Sequence, residues 1–181
     1  MKIGIVTIHK STVNYGACLQ CYALWKHFKQ MGHEVEVIDL LRPVLNGYKF
    51  SCDKNGLRQF YRMGIVANIR HFLHMIKSKS YRKRINNYHK FNDLILYSKP
   101  YRNHDEITKH PPLYDIYVSG SDQIWNPYMP FNNLPYLLSF VSSDKQKIAY
   151  ASSFAVKDIP AECIETYKTL LSQYTSLSTR E

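Results

Sequence analysis

The stretch KIGIVTI at residues 2–8 decides the fold, together with EVEVIDL at residues 34–40. The first is a short β-branched run, typical of a strand covered on both faces of a parallel sheet. The second alternates like a strand and ends next to an acid. Residues 16–31 between them have apolar side chains at helical spacing, and Gly32-His33 ends that helix. This order of strand, helix and strand predicts a βαβ unit with parallel strands and a right-handed crossover.

The same alternation resumes in the second half of the chain. The runs YDIYVS at 114–119 and KIAYAS at 147–152 predict two more parallel strands, followed by a helix over 160–173. A further strand begins at 176–178, just before the chain ends at residue 181. An α/β domain that stopped there would leave its last strand without a covering helix. The sequence therefore predicts one incomplete α/β domain over residues 1–181, truncated and without a second domain.

A basic segment interrupts this alternation. The chain carries 24 Lys and Arg against 14 Asp and Glu, a formal net charge of +10, and residues 49–110 alone hold 14 basic and 4 acidic side chains. Within this segment the apolar spacing predicts an amphipathic basic helix over 57–76 and a second helix over about 79–94. The prolines at 100, 111 and 112 predict a loop over 99–112. We therefore expect a basic helical insertion at about 49–110.

Three interpretations of the basic segment compete. In the first, the helix 57–76 packs its apolar side chains on the sheet and its arginines face water, as in surface helices. Alternatively, it lies against anionic phospholipid, which would hold a soluble enzyme near lipid-linked substrates. Nucleic acid is not expected as a partner, because no binding motif accompanies the charge and the rest of the chain is neutral.

The sequence contains neither a signal peptide nor an apolar run of membrane-spanning length, which predicts a cytoplasmic protein, or one at the inner face of the cytoplasmic membrane. The four cysteines, at 18, 21, 52 and 163, are then expected to be reduced. Cys18 and Cys21 have CxxC spacing, but they lie inside the first helix without a second pair, so we expect structural thiols and no metal site. The five histidines at 71, 74, 89, 104 and 110 lack metal-ligand spacing.

Candidate binding residues follow the predicted strands, because ligands of open parallel sheets bind at the carboxyl ends of the strands. Asn14, Tyr15 and Gly16 precede Ala17 at the start of the first helix, where backbone N–H groups favour an anion. The alternative is a glycine needed for a tight turn. His9 lies in the same loop. Asp39 ends the second strand like the ribose-binding acid of dinucleotide folds, but without a glycine fingerprint we expect a turn or cap residue.

The most informative stretch is SGSDQIWNP at residues 119–127. Ser121, Asp122, Gln123 and Asn126 place polar groups beside the flat face of Trp125. Sugars are bound by that combination, since amides and carboxylates pair with hydroxyls while an indole packs on C–H faces. The alternative is a turn in which Asp and Asn side chains accept hydrogen bonds from their own backbone.

These stretches together resemble a known family. The opening KIGIVTIHKSTVNYGACLQCYAL, then GHEVEVIDL, YDIYVSGSDQIWNP, KIAYASSF and the terminal LSTRE are similar, in order and spacing, to the amino-terminal half of the polysaccharide pyruvyl transferase family. The similarity is weakest across 45–110. It implies a glycosyltransferase-B-like fold of two Rossmann-like halves, of which this chain would be the first: a parallel sheet with flanking helices. It also implies transfer of a pyruvyl group from phosphoenolpyruvate to sugar hydroxyls as a ketal.

The resemblance further implies roles for particular residues. Arg180 matches the arginine of the family's serine-x-arginine-acid motif, which is thought to meet the donor; the alternative is a solvated terminal arginine. We expect the loops at 14–17 and 119–126 and the run Ser152-Ser153-Phe154 to line the cleft that holds acceptor sugar or donor. No cofactor is implied beyond phosphoenolpyruvate as donor substrate, and the catalytic acid has no candidate here.

Two other functions stay open. One is a non-catalytic glycan-binding fragment, or an inactive remnant of a split gene. The other is a stand-alone flavodoxin-like nucleotide-binding domain, which would copurify with flavin or nucleotide. The sequence identifies neither the acceptor sugar nor the oligomeric state.

Overall fold

A computed structural model describes residues 1–10, 14–41, 48–52, 58–62, 78–129 and 133–180 of the chain. The strands are β1 (Lys2–Val6), β2 (Glu34–Leu40), β3 (Tyr48–Cys52), β4 (Arg58–Arg62), β5 (Tyr97–Tyr101), β6 (Ile116–Asp122), β7 (Gln146–Ser152) and β8 (Ser176–Thr179). The helices are α1 (Tyr15–Gln30), α2 (Lys79–Asn92), α3 (His104–Lys109) and α4 (Ala161–Leu171), with a 3₁₀ turn at Leu134–Leu137. The predicted βαβ unit, the helix at 79–94 and the strands of the second half are confirmed.

Six strands form one parallel sheet in the order β5-β2-β1-β6-β7-β8. Counted in chain order within this sheet, that is 3-2-1-4-5-6, the order of a Rossmann-type doubly wound fold. The predicted Rossmann-like α/β class is therefore confirmed. A flavodoxin-like domain has the order 2-1-3-4-5, and this sheet differs from it by the edge strand β5.

Apolar side chains fill both faces of this sheet. Alternate residues of β1 and β2, such as Ile3 and Val35, pack with Leu24 and Trp25 of α1 on one face. Their neighbours, such as Val6 and Ile38, pack on the other face, in the core that contains Tyr167 of α4. This is why the strands read as nearly continuous apolar runs. It also leaves the two ends of the strands as the places where polar side chains can gather.

The predicted helix over 57–76 is wrong at its start. Arg58–Arg62 forms β4, which pairs antiparallel with β3 in a separate two-stranded sheet, and Phe50 lies opposite Phe60. Aromatic residues such as Phe60 and Tyr61 favour strands, and here that preference decides over the apolar spacing. Residues 63–76 of the predicted helix lie outside the described residues.

The predicted loop over 99–112 is also wrong in part, since it contains the end of β5 and the whole of α3. Pro100 fits in β5 because this strand lies at the edge of the sheet, where a missing N–H costs little. Asn103 caps α3 by accepting a hydrogen bond from the backbone N–H of Glu106 at 2.9 Å. The Glu106 carboxylate in turn accepts from the backbone N–H of Arg102 at 2.7 Å, in a variant of the capping box.

Helix α2 lies beside α1 on the same face of the sheet. Phe91 of α2 packs against Tyr22 of α1 with ring centroids 5.0 Å apart, and Tyr88 meets Tyr15 edge-on at 6.0 Å. The side of α2 away from this contact carries exposed cations. Within the described ranges, every helix is too short or too polar to span a bilayer.

Candidate functional site

The carboxyl ends of β1 and β6 form the crevice of this sheet. They are adjacent, and the chain continues to opposite sides of the sheet from them, which makes the space between them the switch point where doubly wound folds bind ligands. Thr7 and Ile8 follow β1, and Ser121 and Asp122 end β6. Thr7 donates a hydrogen bond from its hydroxyl to the carbonyl of Ser121 at 3.0 Å, which joins the two strand ends.

The side chain of Gln20 in α1 forms hydrogen bonds with both strand ends of this crevice. Its amide nitrogen donates to the Thr7 hydroxyl at 2.9 Å, to the Ile8 carbonyl at 2.8 Å and to the Ala17 carbonyl at 3.0 Å. Its amide oxygen accepts from the Ser121 hydroxyl at 2.9 Å. The single side chain therefore holds β1, α1 and β6 in one arrangement. The sequence analysis missed Gln20, whose only signal is a polar residue between the apolar positions of α1.

The predicted residues at the start of α1 lie exposed on the rim of the crevice. Asn14 is the N-cap, and its side-chain oxygen accepts from the backbone N–H of Ala17 at 3.2 Å. The first turn contains no acidic residue, which leaves the positive end of the helix dipole uncompensated. Gly16 is helical, and a Cβ there would meet only the Asn14 side chain at 3.4 Å. The alternative that a tight turn requires this glycine is therefore wrong.

The stretch after β6 forms a turn held by its own side chains. The Asp122 carboxylate accepts from the backbone N–H of Gln123 at 2.8 Å, and the Asn126 side chain accepts from that of Tyr128 at 2.9 Å. Asp122 itself has a φ of 90°, a conformation that Asp tolerates better than most residues. The self-bonded turn given as the alternative is thus confirmed. Asp122 and Gln123 remain half-buried at the crevice, and Asn126 is buried.

The expected role of Trp125 as a sugar platform is wrong for this structure. The indole is 1% exposed, and its N–H donates to the Ser119 hydroxyl and the Tyr136 carbonyl, both at 3.2 Å. The rings of Phe154 and Tyr174 pack against it with centroids 5.3 Å and 6.1 Å away. Trp125 therefore anchors the turn in the core.

Arg180 and Ser153 come together at the ends of β7 and β8. The Arg180 guanidinium reaches the Ser153 hydroxyl at 3.5 Å, and its backbone N–H donates to the Ser152 carbonyl at 3.2 Å. The Ser153 backbone N–H donates to the Asp122 carbonyl at 3.1 Å, so the three neighbouring strand ends are joined. Ser153 is fully buried, whereas Arg180 is exposed. Arg180 is thus placed beside the turn after β6.

On the other side of β1, the structure contains a buried ion pair that the sequence analysis missed. His9 is 0% exposed, and its Nε2 lies 2.9 Å from Asp39 Oδ1. The second oxygen of Asp39 accepts from Lys10 Nζ at 2.7 Å. Burial alone would raise the pKa of Asp39, but the hydrogen bonds from His9 and Lys10 outweigh it and hold that pKa below its usual value. Asp39 is therefore neither the expected turn or cap residue nor free to bind a ribose.

The CxxC thiols are structural, as predicted. Cys18 and Cys21 are buried, and no disulfide involves Cys18, Cys21 or Cys163 in the described part of the chain. Burial raises the pKa of Cys21 to about 12 and also raises that of Cys18. A thiolate is therefore disfavoured at both positions, as is usual for structural thiols buried inside a helix.

One comparison with known proteins gives a match. The family model described as polysaccharide pyruvyl transferase matches residues 14–181. This range begins at the N-cap of α1 and includes β6, the turn after it, and Arg180. No curated protein and no solved structure matches the chain.

Proposed function

Because this chain belongs to the polysaccharide pyruvyl transferase family, we propose that it moves a pyruvyl group from phosphoenolpyruvate to a sugar of a cell-surface polysaccharide or its precursor. The single observation that carries this proposal is the family match over residues 14–181, which takes in most of the chain and most of the crevice. The polar strand ends at the crevice support it.

The reaction makes defined demands on the protein. One sugar hydroxyl adds to C2 of the donor while a proton adds to its methylene carbon. A second hydroxyl then replaces the phosphate at C2, which closes the ketal and releases inorganic phosphate. The donor carries a phosphate and a carboxylate, so its site needs cationic or N–H donors. An acid must supply the proton to carbon, and no residue of this chain is assigned to that step.

Two groups of crevice residues fit the two substrates. Arg180, held beside Ser153, offers a guanidinium to the donor, since planar N–H pairs match phosphate and carboxylate oxygens. Asp122 and Gln123 offer polar groups to acceptor hydroxyls from the turn after β6. Asn14, Tyr15 and Gly16 add exposed N–H groups at the rim. Ser121 is fixed by Gln20 between these groups.

The experiment that tests the proposal is incubation of the chain with phosphoenolpyruvate and a panel of saccharides. We expect phosphate release that depends on the saccharide, together with a new ketal seen by mass spectrometry. Saccharide binding without binding or turnover of phosphoenolpyruvate would instead support the glycan-binding fragment. Binding of neither would support the inactive remnant.

Arg180→Gln is expected to weaken phosphoenolpyruvate binding about thirtyfold, because a charge-assisted hydrogen bond contributes about 2 kcal/mol. Calorimetric titration of both proteins measures the change. Arg102→Gln is the matched control, since Arg102 is also exposed but follows β5 at the opposite edge of the sheet. Equal affinities of wild type and Arg180→Gln would remove Arg180 from the donor site.

For the membrane contact we propose α2 as the contacting element. The helix carries five cations and no acid over Lys79–Asn92. Lys79, Lys83 and Lys90 follow one another along its solvent face, opposite the buried Tyr88 and Asn92. A row of exposed cations of this kind is attracted to anionic phospholipid. Such contact would keep the enzyme at the inner face of the cytoplasmic membrane, near lipid-linked acceptors.

The triple variant Lys79→Gln, Lys83→Gln, Lys90→Gln is expected to bind anionic liposomes about a hundredfold more weakly than wild type. Each cation near such a surface contributes about 1 kcal/mol, and three of them correspond to roughly two powers of ten. Liposome sedimentation measures the effect, with neutral lipid as reference. A matched variant loses three cations elsewhere, at Lys109, Lys157 and Lys168. Negligible binding of wild type to both lipids would contradict the proposal.

A further inference from the structure

A cavity of about 470 Å³ lies beside the crevice, between the end of β1, the start of β5 and the end of α2. Its wall combines three kinds of side chain. Lys10 supplies an ammonium, Asp93 a carboxylate and His89 an imidazole, while Leu41 and Tyr97 supply apolar surface. None of these residues belongs to the proposed donor and acceptor groups at β6 and β8.

Lys10 is held in one position at this cavity. Its ammonium lies 2.7 Å from Asp39 Oδ2 and 4.1 Å from the centre of the Tyr97 ring. Its side chain is 35% exposed. An ammonium has three N–H donors, and Asp39 accepts one of them. A fixed and partly exposed cation loses little conformational entropy when it binds an anion.

Asp39 is shared between Lys10 and His9, which contact its two carboxylate oxygens. His9 Nδ1 lies 3.0 Å from the Thr7 carbonyl, which can only accept a hydrogen bond. His9 Nε2 lies 2.9 Å from Asp39 Oδ1. The His9 ring therefore holds the carboxylate of Asp39, whose other oxygen contacts the Lys10 ammonium.

We propose that this cavity binds a sugar phosphate, with Lys10 contacting the phosphate and His9 acting as a positioning residue through Asp39. Asp93 and His89 face the same cavity and can accept hydrogen bonds from sugar hydroxyls, while Leu41 covers C–H surface. A single carboxylate at Asp93 also disfavours ligands of high negative charge. If the proposed function holds, the bound molecule is the phosphorylated end of the acceptor.

The test is titration of the chain with glucose 1-phosphate, followed by backbone amide NMR. We expect shifts at Lys10, Leu41 and Asp93, and an affinity at least about tenfold weaker in Lys10→Gln. Lys99→Gln is the matched control, because Lys99 is an exposed lysine on β5 whose ammonium also lies over a tyrosine ring. Glucose, which lacks the phosphate, is expected not to bind. Unchanged affinity in Lys10→Gln, or shifts confined to the α2 cations, would overturn the proposal.

A second measurement keeps the argument testable if Lys10→Gln folds poorly. The affinity of the wild type for glucose 1-phosphate is expected to fall as the salt concentration rises, because salt screens the contact between the Lys10 ammonium and the phosphate. An affinity that does not depend on salt concentration would overturn the proposal. Neither measurement uses phosphoenolpyruvate, so this proposal and the transfer reaction can fail separately.

Discussion

Gly120→Ala is expected to lower the free energy of unfolding by about 4 kcal/mol or more. This is a large part of the roughly 5–15 kcal/mol by which a domain is stable. A Cβ at position 120 would lie 2.0 Å from the Tyr150 carbonyl oxygen of the neighbouring β7. Gly120 also has a φ of 137°, a backbone conformation that residues with a Cβ rarely adopt. Because β6 and β7 are central strands, neither can move without separating the sheet.

Chemical denaturation followed by circular dichroism measures this loss. Gly32→Ala is the matched control, since Gly32 also has a positive φ, of 86°, but has no atom within 4 Å of the added Cβ. We expect Gly32→Ala to lower the free energy of unfolding by about 1–2 kcal/mol, which is the cost of the positive φ alone. The difference between the two variants isolates the steric contribution at β6. A Gly120→Ala protein as stable as Gly32→Ala would contradict the packing of β6 on β7.

Trp125→Ala is expected to cost about 3–5 kcal/mol, as large-to-small changes of buried aromatic residues do. The substitution leaves a cavity next to Phe154 and Tyr174 and removes the indole N–H that donates to Ser119 and Tyr136. The turn after β6 would lose its anchor, so we also expect weaker binding of both substrates. Thermal unfolding and denaturant titration measure the stability change.

Two further variants separate the loss of the indole hydrogen bonds from the loss of buried ring volume. Trp125→Phe keeps most of the ring volume and loses the indole N–H, so its expected cost is about 1–2 kcal/mol. Tyr128→Ala truncates an aromatic residue of the same turn that is 42% exposed, and we expect a change within about 0.5 kcal/mol. If Trp125→Ala is no less stable than Tyr128→Ala, Trp125 lies at the surface, where a sugar could stack on it.

The predictable part of the fold is the part in which local pattern and burial agree. KIGIVTI and EVEVIDL pair in parallel, and Gly32 ends α1 in a left-handed conformation, all as the sequence indicates. Strand β5 could not be predicted, because Pro100 signals a break unless the strand is known to lie at the edge of the sheet. That position depends on pairing with β2, which lies far from it in the chain.

The candidate site was predicted at its strand ends but not in its internal contacts. A tryptophan among polar residues looks the same in sequence whether it faces solvent or the core, and Trp125 is buried by Phe154 and Tyr174, which follow much later. The ion pair of His9 and Asp39 joins residues thirty positions apart. Neither residue indicates the pair by itself in the sequence, and only the adjacency of β1 and β2 brings them together.

Among the described helices, those on the two faces of the sheet differ in charge. Helices α1 and α2 cover one face and contain Lys26, Lys29 and the five cations of α2 without any acidic residue, whereas α4 on the other face contains two glutamates and one lysine. The charge difference between these helices runs from one face of the sheet to the other. A negatively charged surface would therefore turn the molecule before contact, at long range and less so at high salt. The crevice at the strand ends would then open sideways, parallel to that surface, toward acceptors diffusing in its plane.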